Sequence, residues 1–129
     1  KFFDETSNWD QAKKRCEKLG GHLVTITSKE EQALVQSMLF SKAMRSYYWA
    51  GGHRDKNGNW KWITGEPFIY TNWSYGEPNN KDNVENAMML WRNVGSWNDI
   101  ADNGSDNPSF GVENFGFICE WESAKNIKK

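Results

Sequence analysis

Cysteine, proline and histidine are scarce in this chain, and so is any excess of charge. Its 129 residues hold two Cys, three Pro and two His, with 16 basic residues against 17 acidic ones. A net charge of −1 leaves no field of one sign, so nucleic acid is not an expected partner. No apolar run approaches the ~18 residues that a membrane helix needs, so no membrane insertion is expected. No leader of the signal-peptide kind opens the chain and Met does not begin it, so it reads as a mature or excised piece. A Gly-x-Ser-x-Gly elbow, a phosphate-binding Gly loop, a dinucleotide fingerprint and a His-Glu-x-x-His pair are all lacking, and no enzymatic activity is expected.

Aromatic residues, by contrast, are plentiful. Eight Trp, seven Phe and four Tyr make up 15% of the chain. Each buries about 150–250 Å² when it enters a core, so one small, well-filled domain is within reach. The two cysteines, Cys16 and Cys119, stand near opposite ends. Paired, they would close a loop of about 100 residues and add roughly 4–5 kcal/mol, in an oxidising compartment only. Unpaired, they would be two small buried hydrophobes. The count alone leaves both readings open.

Along the chain, Ser7-Asn8-Trp9-Asp10 can start a helix, with Ser7 as its N-cap. Trp9, Ala12, Cys16 and Leu19 fall on one face, and Gly20-Gly21 ends it. Residues 22–26 alternate and read as a strand. Ser28 with Glu31 is a capping-box start for a second helix, whose stripe of Leu34, Val35, Met38 and Leu39 reads as core packing. The charges of Glu30 and Glu31 suit that helix's first turn. Strands are expected at Tyr47–Ala50, around Trp60–Ile63, at Ala87–Trp91, from Trp97, and from Phe115 to Trp121. Asn57-Gly58 signals a hairpin of type I′. Helices first and strands after predict an α+β fold with an antiparallel sheet. The segment 123–129 reads as a tail or linker.

Two long polar loops, 64–86 and about 101–114, are unusual in a small domain and need something to order them. Glu77, Asn79, Glu85, Asn98 and Asp99 offer oxygen donors on segments flanking the Ala87–Trp91 strand. Calcium takes six to eight such oxygens, whereas zinc prefers His and Cys, which are not near these positions. Singly, each is a common loop residue. Their grouping is what suggests a cation. Glu77-Pro78 is an X–Pro bond, where a cis peptide is tolerated; cis would aim Glu77 and Asn79 at one spot, trans would give an ordinary turn.

Taken in order, these pieces resemble the C-type lectin-like domain over about residues 1–122. Trp9, Ala12 and Cys16, followed by Gly20-Gly21-His22-Leu23-Val24-Thr25-Ile26, are similar to that family's first helix and strand. Ser28 and Glu31 match its second helix start. Trp49-Ala50-Gly51-Gly52 is a weaker version of its Trp-Ile-Gly-Leu motif. Glu77-Pro78-Asn79 is similar to its sugar-specificity tripeptide, Trp97-Asn98-Asp99 to its second calcium motif, and Phe117-Ile118-Cys119-Glu120 to its closing strand.

The resemblance implies a fold of two helices, small antiparallel sheets and a long calcium-binding loop region. It implies a Cys16–Cys119 disulfide. It implies that Glu77, Asn79, Glu85, Asn98 and Asp99 bind both Ca2+ and a sugar ligated directly to that ion. Glu-Pro-Asn is the order of mannose-type members, which take mannose, fucose, glucose or N-acetylglucosamine; galactose-type members carry Gln-Pro-Asp. The implied partners are glycans or glycoproteins with such sugars. The implied setting is extracellular or at the cell surface, within a larger surface or secreted protein.

Departures from the family pattern also bear on function. Ala87 and Asp102 stand where its second disulfide would be, so metal removal should loosen the loops more than usual. Asn80 and Asn86 replace carboxylates, so no second ion is expected. The missing disulfide and the closing Phe-Ile-Cys-Glu-Trp run resemble microbial members. The 102–114 segment is long enough to cover or extend a sugar site. Tyr75 is the better placed of three aromatics that could stack on a sugar, ahead of Trp73 and of Trp91, which is assigned to the core. His22 and His53 are read as strand or loop residues. Asn72-Trp73-Ser74 and Asn103-Gly104-Ser105 match the glycosylation sequon.

Two rival functions remain open on the sequence. One is a protein-binding module on the same fold, since fold alone does not fix function. The other is a glycoside hydrolase using Glu77 and Glu85 at a separation of about 5–10 Å. A shared cation would keep both carboxylates ionised and leave no general acid, which argues against the hydrolase.

Overall fold

Asn8, not Ser7, caps the first helix, α1 (Trp9–Lys18). Its side chain accepts from the Gln11 backbone N–H at 2.8 Å, and Gln11 returns a bond to the Asn8 N–H at 3.0 Å. Ser7 is drawn inward instead, because its carbonyl receives the Trp49 indole N–H at 2.8 Å. The computed structural model describes residues 1–104 and 111–121. The tail at 123–129 and much of the 102–114 segment, with Ser105 of the second sequon, lie outside the described residues.

Helix α2 (Lys29–Lys42) starts at Ser28 as its cap residues predict. Its buried face is Gln32, Val35 and Leu39, whereas Leu34 is exposed. Gln32 replaces Leu34 on that face because two partners reach it there. Its side-chain amide donates to the Gly95 carbonyl at 2.7 Å, and its oxygen accepts the Trp97 indole N–H at 2.9 Å.

Among the described residues there are seven strands besides these helices: β1 (Phe2–Phe3), β2 (His22–Leu23), β3 (Tyr47–Arg54), β4 (Trp60–Trp62), β5 (Ala87–Trp91), β6 (Trp97–Ile100) and β7 (Phe115–Glu120). The main path runs β1-β7-β3-β5-β6, with β2 on β7 and β4 on β3. The sheet is mixed, not purely antiparallel, because β3 pairs with β7 in parallel. β2 is shorter than the 22–26 expected. Val24 donates to Ile118 at 2.9 Å, but its carbonyl then turns to the Gly51 N–H at 2.7 Å, and the chain leaves β7 for β3. Only Gly58 has a positive φ at the 55–59 turn, so that turn is not type I′. Asp55 holds it by accepting from the N–H groups of Asn57 and Asn59.

The sheet has a core on each face. Val35, Leu39, Tyr48, Ala50, Met88, Leu90 and Trp97 fill one cluster, beside α2. Trp9, Ala12, Cys16, Trp49, Ala87, Met89, Phe115 and Phe117 fill the other, beside α1. Strand β5 therefore alternates between two buried faces, which is why it reads as a continuous apolar run. Trp91 is only half-buried at its end, packed edge-on against Tyr47. The Cys16–Cys119 disulfide ties α1 to β7.

Aromatic packing orders the first long loop. Phe68, Tyr70 and Trp73 all meet the buried Trp97 ring, at centroid distances of 6.0, 6.0 and 5.5 Å. Trp73 is thereby a packing residue. His53 sits on β3 with Asp102 at 3.0 Å, and His22 lies on β2.

Candidate metal centre

The hairpin of β5 and β6 carries the site at one end. Its register sets Met88 opposite Asp99 and Met89 opposite Asn98. The chain enters β5 through Glu85, which is 5% exposed, and Asp99 is fully buried. From the first long loop comes Glu77, followed by a cis bond to Pro78. Glu77, Glu85 and Asp99 each bring a carboxylate oxygen to within 4.8 Å of the others. Asn79 lies on the loop just past Pro78, and Asn98 precedes Asp99 on β6, buried.

The loop between the carboxylates is tightly wound. Asn80, Asp82 and Asn83 have φ of 47°, 57° and 59°. Asn and Asp enter this left-handed region more readily than other side chains, but strain remains. The carboxylates hold the loop in place. Asp99 accepts from the backbone N–H of Asn79 at 3.2 Å and of Asn80 at 2.7 Å. Glu85 accepts from the Lys81 N–H at 3.0 Å, and the Asn80 side chain accepts from the Glu85 N–H at 3.2 Å.

Among the described residues one cation reaches the cluster, and sequence reasoning missed it. Arg54, at the end of β3, donates to Asp99 Oδ2 at 2.8 Å and to the Glu85 carbonyl at 3.1 Å. Its guanidinium lies 4.9 Å from the Trp60 ring centroid. No motif marks Arg54. The available signal was electrostatic: three acids converging on one point call for a basic partner on a neighbouring strand.

Arg54 does not balance the site alone. At an effective dielectric of about 20, two unit charges 4.8 Å apart repel by roughly 3 kcal/mol, and this cluster has three such pairs. The Glu77 carboxyl is accordingly pushed up to about 7, by burial first and then by hydrogen bonding to and repulsion from Asp99. An all-oxygen donor set, mostly buried and short of positive charge, fits a hard divalent cation such as Ca2+.

A family model, the lectin C-type domain, matches residues 5–110. A perlucin-like protein from Mytilus galloprovincialis is 36% identical over 122 residues, which cover 92% of this chain and 72% of the relative. The chain spans only about half the length, 51% to 54%, of three further curated relatives. Among solved structures, the cow carbohydrate-recognition domain of CD23, in the presence of a GlcNAc2Man3 oligosaccharide, superposes with a TM-score of 0.77 at 32% identity, covering 95% of this chain and 87% of that one. A calcium-independent type II antifreeze protein superposes with a TM-score of 0.71 at 27% identity, covering 92% and 81%. The chain belongs to the C-type lectin domain family.

Proposed function

We propose that this domain binds carbohydrate through a calcium ion held by Glu77, Asn79, Glu85, Asn98 and Asp99. Its preferred ligands are mannose-type sugars, and its partners are glycans or glycoproteins that display them. The observation that carries the reading is the convergence of three carboxylates, two of them buried, with one arginine as counter-charge. When bound, calcium supplies open coordination positions for two neighbouring hydroxyl oxygens of one hexose. The carboxylates of Glu77 and Glu85 would accept hydrogen bonds from the sugar hydroxyls, and the amides of Asn79 and Asn98 would donate to the hydroxyl oxygens. Bonds to ionised acceptors are about twice as strong as neutral ones. The module occupies residues 1–122, with 123–129 as tail or linker to a larger surface or secreted protein.

Mannose–agarose tests this reading. The domain should be retained in calcium and released by EDTA. Retention that EDTA does not alter would contradict the cation bridge.

A second reading rests on Arg54. In this reading the protein cation that already pairs with Asp99 takes part of the role of a metal, and the module binds its partner without calcium. The similarity to a calcium-independent antifreeze protein agrees with a module that binds a non-sugar surface. Ligand binding that persists in EDTA, together with no calcium uptake, would favour it.

A further inference from the structure

Strand β6 lies at one edge of the main sheet, bonded to β5 along one side. On its outer side, among the described residues, a bridge from Trp73 pins its start at Trp97. Asn98 and Asp99, both assigned to the cation centre, lie toward the other end, where an edge strand frays unless something holds it. The hold is at Asp102. Its carbonyl accepts the Trp9 N–H of α1 at 2.8 Å. Its carboxylate meets His53 Nε2 of β3 at 3.0 and 3.2 Å. An ionised carboxylate only accepts, so Nε2 is the donor. We propose that His53 is a positioning residue of the cation centre, acting through Asp102 to fix the end of β6 and with it the ligand atoms of Asn98 and Asp99. The proposal rests on the reading of that centre as the calcium site.

The sheet geometry carries it. His53 and Arg54 are neighbours on β3, so their side chains leave opposite faces. His53 faces α1, with its ring 4.4 Å from that of Trp9. Arg54 faces the other way, over Trp60. The first takes Asp102 and the second takes Asp99, three residues earlier. One pair of adjacent residues thus grips the β6 exit from both faces of the sheet.

Ala87 makes the span possible. The register sets it beside His53 on β3 and beside Ile100 on β6. Because it presents only a methyl group, the His53 side chain crosses β5 to reach the residue two past Ile100. Calcium needs the two β6 ligands in place together. Its apparent affinity therefore falls with the fraction of molecules in which that segment is held. The His53 and Asp102 side chains are 30% and 47% exposed. A pair so exposed shifts an equilibrium by about fivefold at most, which sets the scale of the effect.

Titration calorimetry with calcium chloride tests this on wild type, His53→Leu, His53→Gln and Asp102→Ala. Circular dichroism in EDTA checks the fold of each. Leu keeps an apolar contact with Trp9 and removes the donor, whereas Gln retains a donor in the place of Nε2. His53→Leu and Asp102→Ala should each bind calcium about threefold more weakly than wild type. The double variant should be no weaker than either alone, because both changes break one bond. His53→Gln should recover most of the loss, which a role in packing alone would not produce. Should His53→Leu fail to fold, Asp102→Ala reads the same bond from its more exposed side. Wild-type affinity in the folded variants, losses that add in the double variant, or a His53→Gln no better than His53→Leu overturns the role of His53 and leaves the cation centre standing. A wild type that takes up no calcium overturns both.

Discussion

Arg54 donates to Asp99 Oδ2 and to the Glu85 carbonyl, so one guanidinium serves two of the three residues that supply the carboxylate cluster. Its side chain is 13% exposed and that of Asp99 is fully buried. Removing one partner of a buried pair typically costs about 3–5 kcal/mol. Arg54→Met keeps contact with Trp60 but loses the charge. It should melt earlier than wild type in EDTA, by the equivalent of about 3 kcal/mol. Calcium should then raise its melting temperature by more than it raises that of wild type. Equal melting of the two proteins in EDTA would remove Arg54 from this account. Asp99→Asn should retain the fold and lose calcium-dependent binding; mannose binding of wild-type strength would show the site to be misplaced. Exchanging Glu77 and Asn79 for Gln and Asp should turn preference toward galactose on a glycan array, and an unchanged profile would contradict the mannose assignment. The acidic residues of the site were legible because their types, order and spacing are local. Arg54 was not, because its role depends on β3 ending beside the β5–β6 hairpin.

At the scale of elements, the strands and helices were legible wherever apolar periodicity decided them, as for β5. The substitution of Gln32 for Leu34 on the buried face of α2 was not, since Gly95 and Trp97 lie more than sixty residues away. The Trp49-Ala50-Gly51-Gly52 run shows how a weak motif is accommodated. A Cβ on Gly52 would collide with the Met88 side chain, whose flexible end fills that space. A Cβ on Gly51 would stand 2.9 Å from the Leu23 carbonyl and 3.1 Å from that of Val24, where backbone must move. Gly51→Ala should therefore lower stability by about 1–3 kcal/mol, and Gly52→Ala by less; urea denaturation of the two variants checks the order. At the end of β7, burial pushes the Glu120 carboxyl above the ordinary glutamate value, although the Thr25 N–H donates to it at 3.2 Å. The folded state thus holds this proton more tightly than the unfolded chain does. This contribution favours the fold at low pH and is lost as pH rises from the ordinary value through the folded one. Glu120→Gln should flatten that part of the stability profile, and an unaltered urea midpoint profile from pH 4 to 8 would count against it.

For the whole molecule, the disulfide joins residues 103 apart in sequence, linking the first helix to the last strand. A loop of that length corresponds to about 4–5 kcal/mol in the chain-entropy model. As a C-type lectin domain the chain is a recognition module and not a catalyst, and its disulfide suits an extracellular setting. Among the described residues no helix is long and apolar enough to cross a membrane. A single hexose offers few contacts, so firm attachment to a glycan surface would come from several linked copies. The most direct test of the central claim is a crystal structure grown with calcium and mannose. The account predicts one ion among Glu77, Asn79, Glu85, Asn98 and Asp99, with two adjacent sugar hydroxyls on it. An ion-free carboxylate cluster, or mannose bound away from it, would contradict the account.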